Sequence, residues 1–129
     1  MYMLTQRPTD CTPKAIFNPN GNLFIKGRSF SENPIWHFKP LVTFCKKLRA
    51  KEVIFDISMD YLNTASSKCM FAVISAIEDN ERIQRAEIRW HFEEDDEDML
   101  ETCEIYADMC EKIQFNMLPS EVTTLSYSA

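Results

Sequence analysis

Glu52-Val53-Ile54-Phe55-Asp56-Ile57-Ser58, then Ala65 to Asn80 without a breaker, then Arg85-Ala86-Glu87-Ile88-Arg89-Trp90-His91-Phe92: this succession decides the fold. In the first piece Val53, Phe55 and Ile57 alternate with Ile54, Asp56 and Ser58, which is strand periodicity. The middle piece carries Cys69-Met70-Phe71-Ala72-Val73-Ile74 and continues through Ala76 and Ile77, so it reads as a helix buried over a wide arc. In the last, Ala86, Ile88, Trp90 and Phe92 fall on one side and Glu87, Arg89 and His91 on the other, a strand with one dry and one wet face. Strand, helix, strand at this spacing is a right-handed crossover unit.

Working outward, Ala15-Ile16-Phe17 and Leu23-Phe24-Ile25 flank Asn18-Pro19-Asn20-Gly21-Asn22, a short hairpin around dense turn formers. Ser31-Glu32-Asn33-Pro34 offers a helix start with Pro at the first helical position. Phe38, Leu41, Val42, Cys45 and Leu48 then keep helical spacing to Ala50, and Pro40 among them predicts a kink or two shorter helices. Residues 59–64 read as a short connection. A third helix is predicted over Glu97 to Lys112, with Met99, Cys103, Tyr106, Ala107 and Cys110 inward. Ile113, Phe115 and Met117 make a last strand. The predicted class is a single α/β sandwich: a mixed sheet of about five strands, with three main helices largely on one face. Residues 1–118 form the domain and 119–129, rich in Ser and Thr, a flexible C-terminal tail. The predicted core includes Phe55, Ile57, Val73, Ile77, Ile88, Trp90, Tyr106 and Phe115.

Composition excludes several functions. With 129 residues and 45% hydrophobic content, the chain is enough for one globular domain. Only Gly21 and Gly27 are present, so neither a Walker loop nor a dinucleotide fingerprint can be built, and no cofactor is expected. No apolar run is long enough to span a membrane, and Met1 to Asp10 lacks signal-peptide order. Five cysteines without an export signal point to a reducing compartment, the cytoplasm. Net charge is −6, divided as +7 over residues 1–51 and −13 over 52–129, too acidic overall for a nucleic-acid binder. Such asymmetry suits protein partners or two solvated faces.

Four features carry candidate chemistry. Asn63-Thr64-Ala65-Ser66-Ser67-Lys68 places hydroxyls at a strand-to-helix junction, where free helix amides point outward. It reads either as an N-cap alone or as a phosphorylation switch, since a helix N-terminus tolerates added negative charge. Glu93-Glu94-Asp95-Asp96-Glu97-Asp98, continued by Glu101, Glu104, Asp108 and Glu111, is a solvated acidic face or a surface for a basic partner. It has neither the central Gly nor the spacing of a calcium loop. Cys45, Cys69, Cys103 and Cys110 occupy apolar helix positions and fill core, and with His37 and His91 isolated nothing supports zinc. Gly27-Arg28-Ser29-Phe30 lies between strand and helix, with Arg28 either a surface ion-pair donor or a phosphate anchor.

A resemblance joins these pieces. Thr12-Pro13, Phe17-Asn18-Pro19-Asn20-Gly21, Gly27-Arg28-Ser29-Phe30-Ser31-Glu32-Asn33, Phe38-Lys39-Pro40-Leu41 and Tyr61-Leu62-Asn63-Thr64-Ala65-Ser66-Ser67-Lys68 occur in order. Trp90 and Glu94-Asp95-Asp96-Glu97-Asp98-Met99 follow. Over about residues 10–117 the chain resembles the SiaC family of regulatory phosphoproteins. It departs from the family at Asn18, where Asp is usual, and at Ala65, where Ser commonly follows the Thr.

The resemblance implies a fold akin to anti-sigma-factor antagonist (STAS-like) domains. It also implies a non-enzymatic partner-switching adaptor, phosphorylated on Thr64 by a protein kinase and dephosphorylated by a PP2C-type phosphatase. The unphosphorylated form would bind and activate an effector, a diguanylate cyclase that raises cyclic di-GMP and promotes biofilm or aggregation. Asn63, Ser66, Ser67, Lys68 and Arg28 are then the partner-binding candidates around Thr64. Two other classes compete: a small enzyme using a Cys thiolate, and an acidic assembly subunit with no switch.

Overall fold

A computed structural model describes residues 1–120. The elements are β1 (Leu4–Gln6), β2 (Lys14–Phe17), β3 (Asn22–Ser29), α1 (Ile35–Lys47), β4 (Glu52–Leu62), α2 (Thr64–Asp79), β5 (Arg85–Glu93), α3 (Glu97–Asp108) and β6 (Ile113–Ser120). They form one six-stranded sheet in the order β1-β2-β3-β4-β5-β6. The first two pairings are antiparallel and the remaining three parallel. Every parallel step goes to the next strand in the same direction, so right-handed crossovers put all three helices on one face.

Alternation decides which side chains meet those helices. Val53, Phe55, Ile57 and Met59 of β4, with Ala86, Ile88, Trp90 and Phe92 of β5, are buried beneath the helices. The intervening Ile54, Asp56 and Ser58, with Glu87, Arg89 and His91, form the half-exposed open face. On that face Arg89 bonds Glu87 at 3.2 Å, and His91 Nε2 lies 3.1 Å from Asp56. In the core, Phe17 meets Phe44 and Phe55 edge-on at 5.6 and 5.4 Å. Asn80, buried at the end of α2, donates to the carbonyls of Cys45 and Leu48 and so ties α2 to the end of α1.

The sequence reading needs several adjustments. The sheet has six strands, because Leu4–Gln6 pairs with Ala15, Ile16 and Phe17; three residues are too short to show alternation. The 59–64 connection is mostly strand: β4 continues to Leu62, and β3 to Ser29, past a register irregularity at Gly27/Arg28. Gly27, at φ 128°, allows it. Pro40 lies inside a single helix and leaves the Trp36 carbonyl without its helical donor, but Trp36 is 79% exposed and water can replace that bond. Pro34 takes helical dihedrals and its carbonyl receives the His37 and Phe38 amides, while no side chain caps it.

Phe115 is only partly buried, because β6 is an edge strand. Pro119 and Ser120, read as tail, pair with Phe92 and Glu93, and the rest of the predicted tail, 121–129, lies outside the described residues. In the β2–β3 turn, Gly21 has φ 103°, and a Cβ there would sit 2.1 Å from the Glu52 carbonyl oxygen, so no other residue fits.

α3 ends earlier than predicted because Glu78 intervenes. Its carboxylate accepts the backbone N–H groups of Glu111, Lys112 and Ile113 at 3.0 to 3.2 Å. Burial alone would raise its pKa, but the three amides and the Lys112 charge together hold it below the ordinary value. A carboxyl depressed in the folded state stabilises above its unfolded pKa, and that contribution is lost as pH falls through the folded pKa. Glu78→Gln should therefore flatten the acid limb of the stability curve, measured by urea unfolding from neutral pH down past the carboxylate range. An unchanged acid limb would contradict this role for Glu78.

Candidate functional site

Where β4 ends, Asn63 stops the strand and starts α2. Its backbone is extended (φ −72°, ψ 172°), and its Oδ1 accepts the Ser66 amide at 2.8 Å. Its carbonyl accepts the Ser67 amide, its own N–H donates to the Ser29 carbonyl, and its Nδ2 donates to Ser31 O at 3.1 Å. Asn63 thus caps the helix with its side chain and, through its backbone N–H, fastens it to the end of β3. Asn63→Ala should cost about 0.5–2 kcal/mol for the cap, read as a lower thermal midpoint; a shift within error would mean that water replaces it.

Thr64 is the first residue of α2 and is exposed, and no hydrogen bond within the described residues engages its hydroxyl. The helix has no acid in its first turn, and Lys68, also exposed, stands one turn on. A phosphate on Thr64 would therefore meet the positive end of the helix dipole and a lysine at i+4. The alternative that Thr64 is the cap does not hold, since Asn63 fills that position.

The other candidates separate. Ser66 is fully buried and its hydroxyl lies 2.6 Å from that of Ser29, so it serves the fold and cannot reach a partner's surface. Ser67 is half-buried and bonded to Tyr106: its hydroxyl meets the phenol oxygen, and the phenol donates to the Ser67 carbonyl. Leu62, Thr64, Ser67 and Lys68 line one cleft together with Phe71 and Tyr106. Arg28 is not among them. It is exposed on β3, in register with Tyr61, while its neighbour Ser29 points to the helix side, so Arg28 belongs to the open face.

Tyr106 is the residue that sequence reasoning placed only in the core. It is buried between Phe71 (5.1 Å) and Trp90 (5.7 Å). Burial raises its pKa, with the Ser67 bond opposing, so the phenol stays protonated and able to donate. A Tyr on an apolar helix stripe needs a partner for its hydroxyl, and that was the available signal.

The acidic run divides as well. Asp96 caps α3, accepting the Met99 amide at 3.0 Å, with Glu97 and Asp98 in its first turn, while Glu101, Glu104, Asp108 and Glu111 are exposed. Cys45, Cys69, Cys103 and Cys110 do not suit nucleophilic chemistry. Burial pushes Cys45 up to about 12, burial and Glu104 push Cys103 up to about 12, and burial with Glu78 and Asp79 pushes Cys110 up to about 11. Cys69 is also raised by burial. Among the described residues no group of His, Cys, Asp and Glu is arranged to hold a metal ion, and no helix is long and apolar enough to cross a membrane.

Comparison with known proteins adds to this geometry. A family model described as SiaC family regulatory phosphoprotein matches residues 6–120. An uncharacterized protein of Pseudomonas aeruginosa (strain UCBPP-PA14) is 27% identical over 94 residues, 70% of this chain and 75% of that protein. The structure of apo-SiaC from Pseudomonas aeruginosa is similar at a TM-score of 0.79 and 25% identity, covering 92% of this chain and 99% of that one. A SiaC chain crystallised with the diguanylate cyclase SiaD, whose activator it is in Pseudomonas aeruginosa, matches at a TM-score of 0.80 and 24% identity. That match covers 91% of this chain and 99% of the other, and at such identity it speaks for the fold.

Proposed function

Because the chain belongs to the SiaC family of regulatory phosphoproteins, we propose that it is a non-enzymatic, cytoplasmic partner-switching adaptor controlled by reversible phosphorylation of Thr64. A protein kinase adds the phosphate and a PP2C-type phosphatase removes it. The unphosphorylated form binds and activates an effector, a diguanylate cyclase, and so raises cyclic di-GMP and favours biofilm or aggregation. The carrying observation is the exposed Thr64 hydroxyl, engaged by no hydrogen bond among the described residues, at the first position of a helix whose cap is already supplied by Asn63. A kinase can reach it, and the fold does not need it.

Two further observations support the reading. Phosphate adds a charge of roughly −1.5 to −2 at neutral pH, and the first turn of α2 contains no acid to repel it. The raised pKa values of Cys45, Cys103 and Cys110 oppose a Cys-dependent enzyme built on those thiols, since a protonated thiol is a poor nucleophile. The free cysteines also fit a reducing cytoplasm.

The experiment is reconstitution with the diguanylate cyclase of the native host. Thr64→Ala protein should raise its conversion of GTP to cyclic di-GMP. Turnover that is the same with and without the protein would remove the effector from the proposal.

A further inference from the structure

The end of the molecule away from Thr64 is crowded with cations. Lys46 and Lys47 close α1, Arg49 follows in the loop to β4, and Arg82 lies in the turn from α2 to β5. All four are exposed and, with Met1, line one shallow hollow of about 590 Å³. Lys51, exposed and with its carbonyl on the Gln84 and Arg85 amides, adds a fifth cation at this end. Asp79 and Glu81 flank the α2–β5 turn, and they leave the balance positive. Among the described residues none of the five cations is in an ion pair. Lys46 and Lys47 offset the α1 dipole. Arg49 and Arg82 stand beyond the helix ends, where no carboxylate pairs with them.

The apolar surface beside these charges is open too. Met1, in the hollow, is 59% exposed, and Tyr2 and Met3, just ahead of β1, are 93% and 53% exposed. Cations next to an exposed Tyr and Met suit a boundary between water and an apolar medium. Long Lys and Arg stems reach phosphates there, while ring and thioether enter the acyl boundary.

We propose that this basic end seats on an anionic lipid surface, with Lys46, Lys47, Arg49 and Arg82 on headgroup phosphates and Met1 and Tyr2 in the interfacial layer. The hollow is shallow and its charges ride on long side chains that no ion pair holds. Such groups adapt to many phosphates spread over a plane but hold no single one in a fixed geometry. The net charge of −6 does not prevent seating. α2 lies between α1 and α3, so the α3 carboxylates stand two helix spacings away, roughly 16–20 Å. That exceeds the ~8 Å over which charge is screened at physiological salt. Each basic residue at an anionic surface gains roughly fivefold in affinity, which makes this a reversible attachment and not an insertion.

The seating also fixes an orientation. α2 spans 16 residues, about 24 Å, from this end to Thr64. A seated molecule therefore holds Thr64 away from the lipid and open to a kinase. The surface adds a location to the adaptor without depending on its switch.

Flotation of the purified full chain with vesicles tests this. The protein should float with phosphatidylcholine–phosphatidylglycerol vesicles at low salt and stay behind with phosphatidylcholine alone. Lys47→Glu/Arg49→Glu should weaken binding roughly tenfold or more, whereas Lys26→Glu on the open sheet face should change it little. Tyr2→Ser should weaken the binding that survives high salt. Thr64→Ala and the phosphorylated protein should float alike, and thermal midpoints check that each variant folds.

Flotation that ignores lipid charge, or that Lys47→Glu/Arg49→Glu leaves unchanged, would overturn the lipid surface. So would vesicles failing to bind while the same variant abolishes binding of pyrophosphate, or self-association of the chain. The first would assign the cluster to a soluble phosphate compound, the second to the acidic face of another copy. In each case the adaptor stands or falls separately, since cyclase activation by Thr64→Ala in solution needs no vesicle.

Discussion

Trp90→Ala should lower the unfolding free energy by about 3–5 kcal/mol, the usual cost of removing a large core aromatic. Trp90 is fully buried at the centre of β5, and its ring meets Tyr106 at 5.7 Å, below the α2–α3 cleft. The loss combines the transfer of its apolar surface and the cavity left behind. It would be a large share of the ~5–15 kcal/mol that ordinarily holds a domain together. The substitution should also loosen Tyr106 and through it the first turn of α2, where the phenol bonds Ser67. Urea unfolding reads the first effect, and hydrogen exchange at the Ser66 and Ser67 amides the second. A loss below about 1 kcal/mol would mean the site collapses around the deletion, outside the range such deletions show.

Stoichiometric phosphorylation of Thr64 should weaken effector binding by about 3 kcal/mol, roughly a hundredfold, because docking there must strip water from a dianion that Lys68 and one helix end only partly neutralise. The fold should tolerate it: a charge at this end of a helix is favoured by about 0.3–1 kcal/mol. Thermal midpoints of the two forms should then differ little while their dissociation constants diverge. Thr64→Ala should stay folded, resist the kinase and bind. Thr64→Asp is a weaker mimic, with one carboxylate in place of a phosphate's charge and oxygens. If the phosphorylated protein bound its effector as tightly as Thr64→Ala, the switch would be wrong.

The parts of this molecule that were legible in the sequence are those written in local pattern. Val53-Phe55-Ile57 and Ala86-Ile88-Trp90-Phe92 alternate because one face of each strand is buried, and both lie in the core. Asn63-Thr64 marked the helix start because capping is a short-range bond, and the structure assigned the cap to Asn63. What escaped depends on distant partners. β1 exists only through its register with β2, and the extension of β4 to Leu62 through pairing with β3 beyond Gly27. Ser66 looked like its neighbours Thr64 and Ser67, but helix phase turns it toward Ser29, 37 residues away. Arg28 stands near Ser29 in sequence and on the opposite side of the sheet in space. The cleft beside Thr64 was legible only on its polar side, in Thr64, Ser67 and Lys68, because Leu62, Phe71 and Met109 read as ordinary apolar residues.

The central claim is that Thr64 is the modified residue, and mass spectrometry of the protein isolated from its own host tests it most directly. Intact mass should show species separated by one phosphate. Peptide sequencing should place that phosphate on Thr64, in proportions that change when the PP2C-type phosphatase is deleted. A protein whose Thr64 stays unmodified under every growth condition, or whose phosphate resides on Ser67 or elsewhere, would contradict the account.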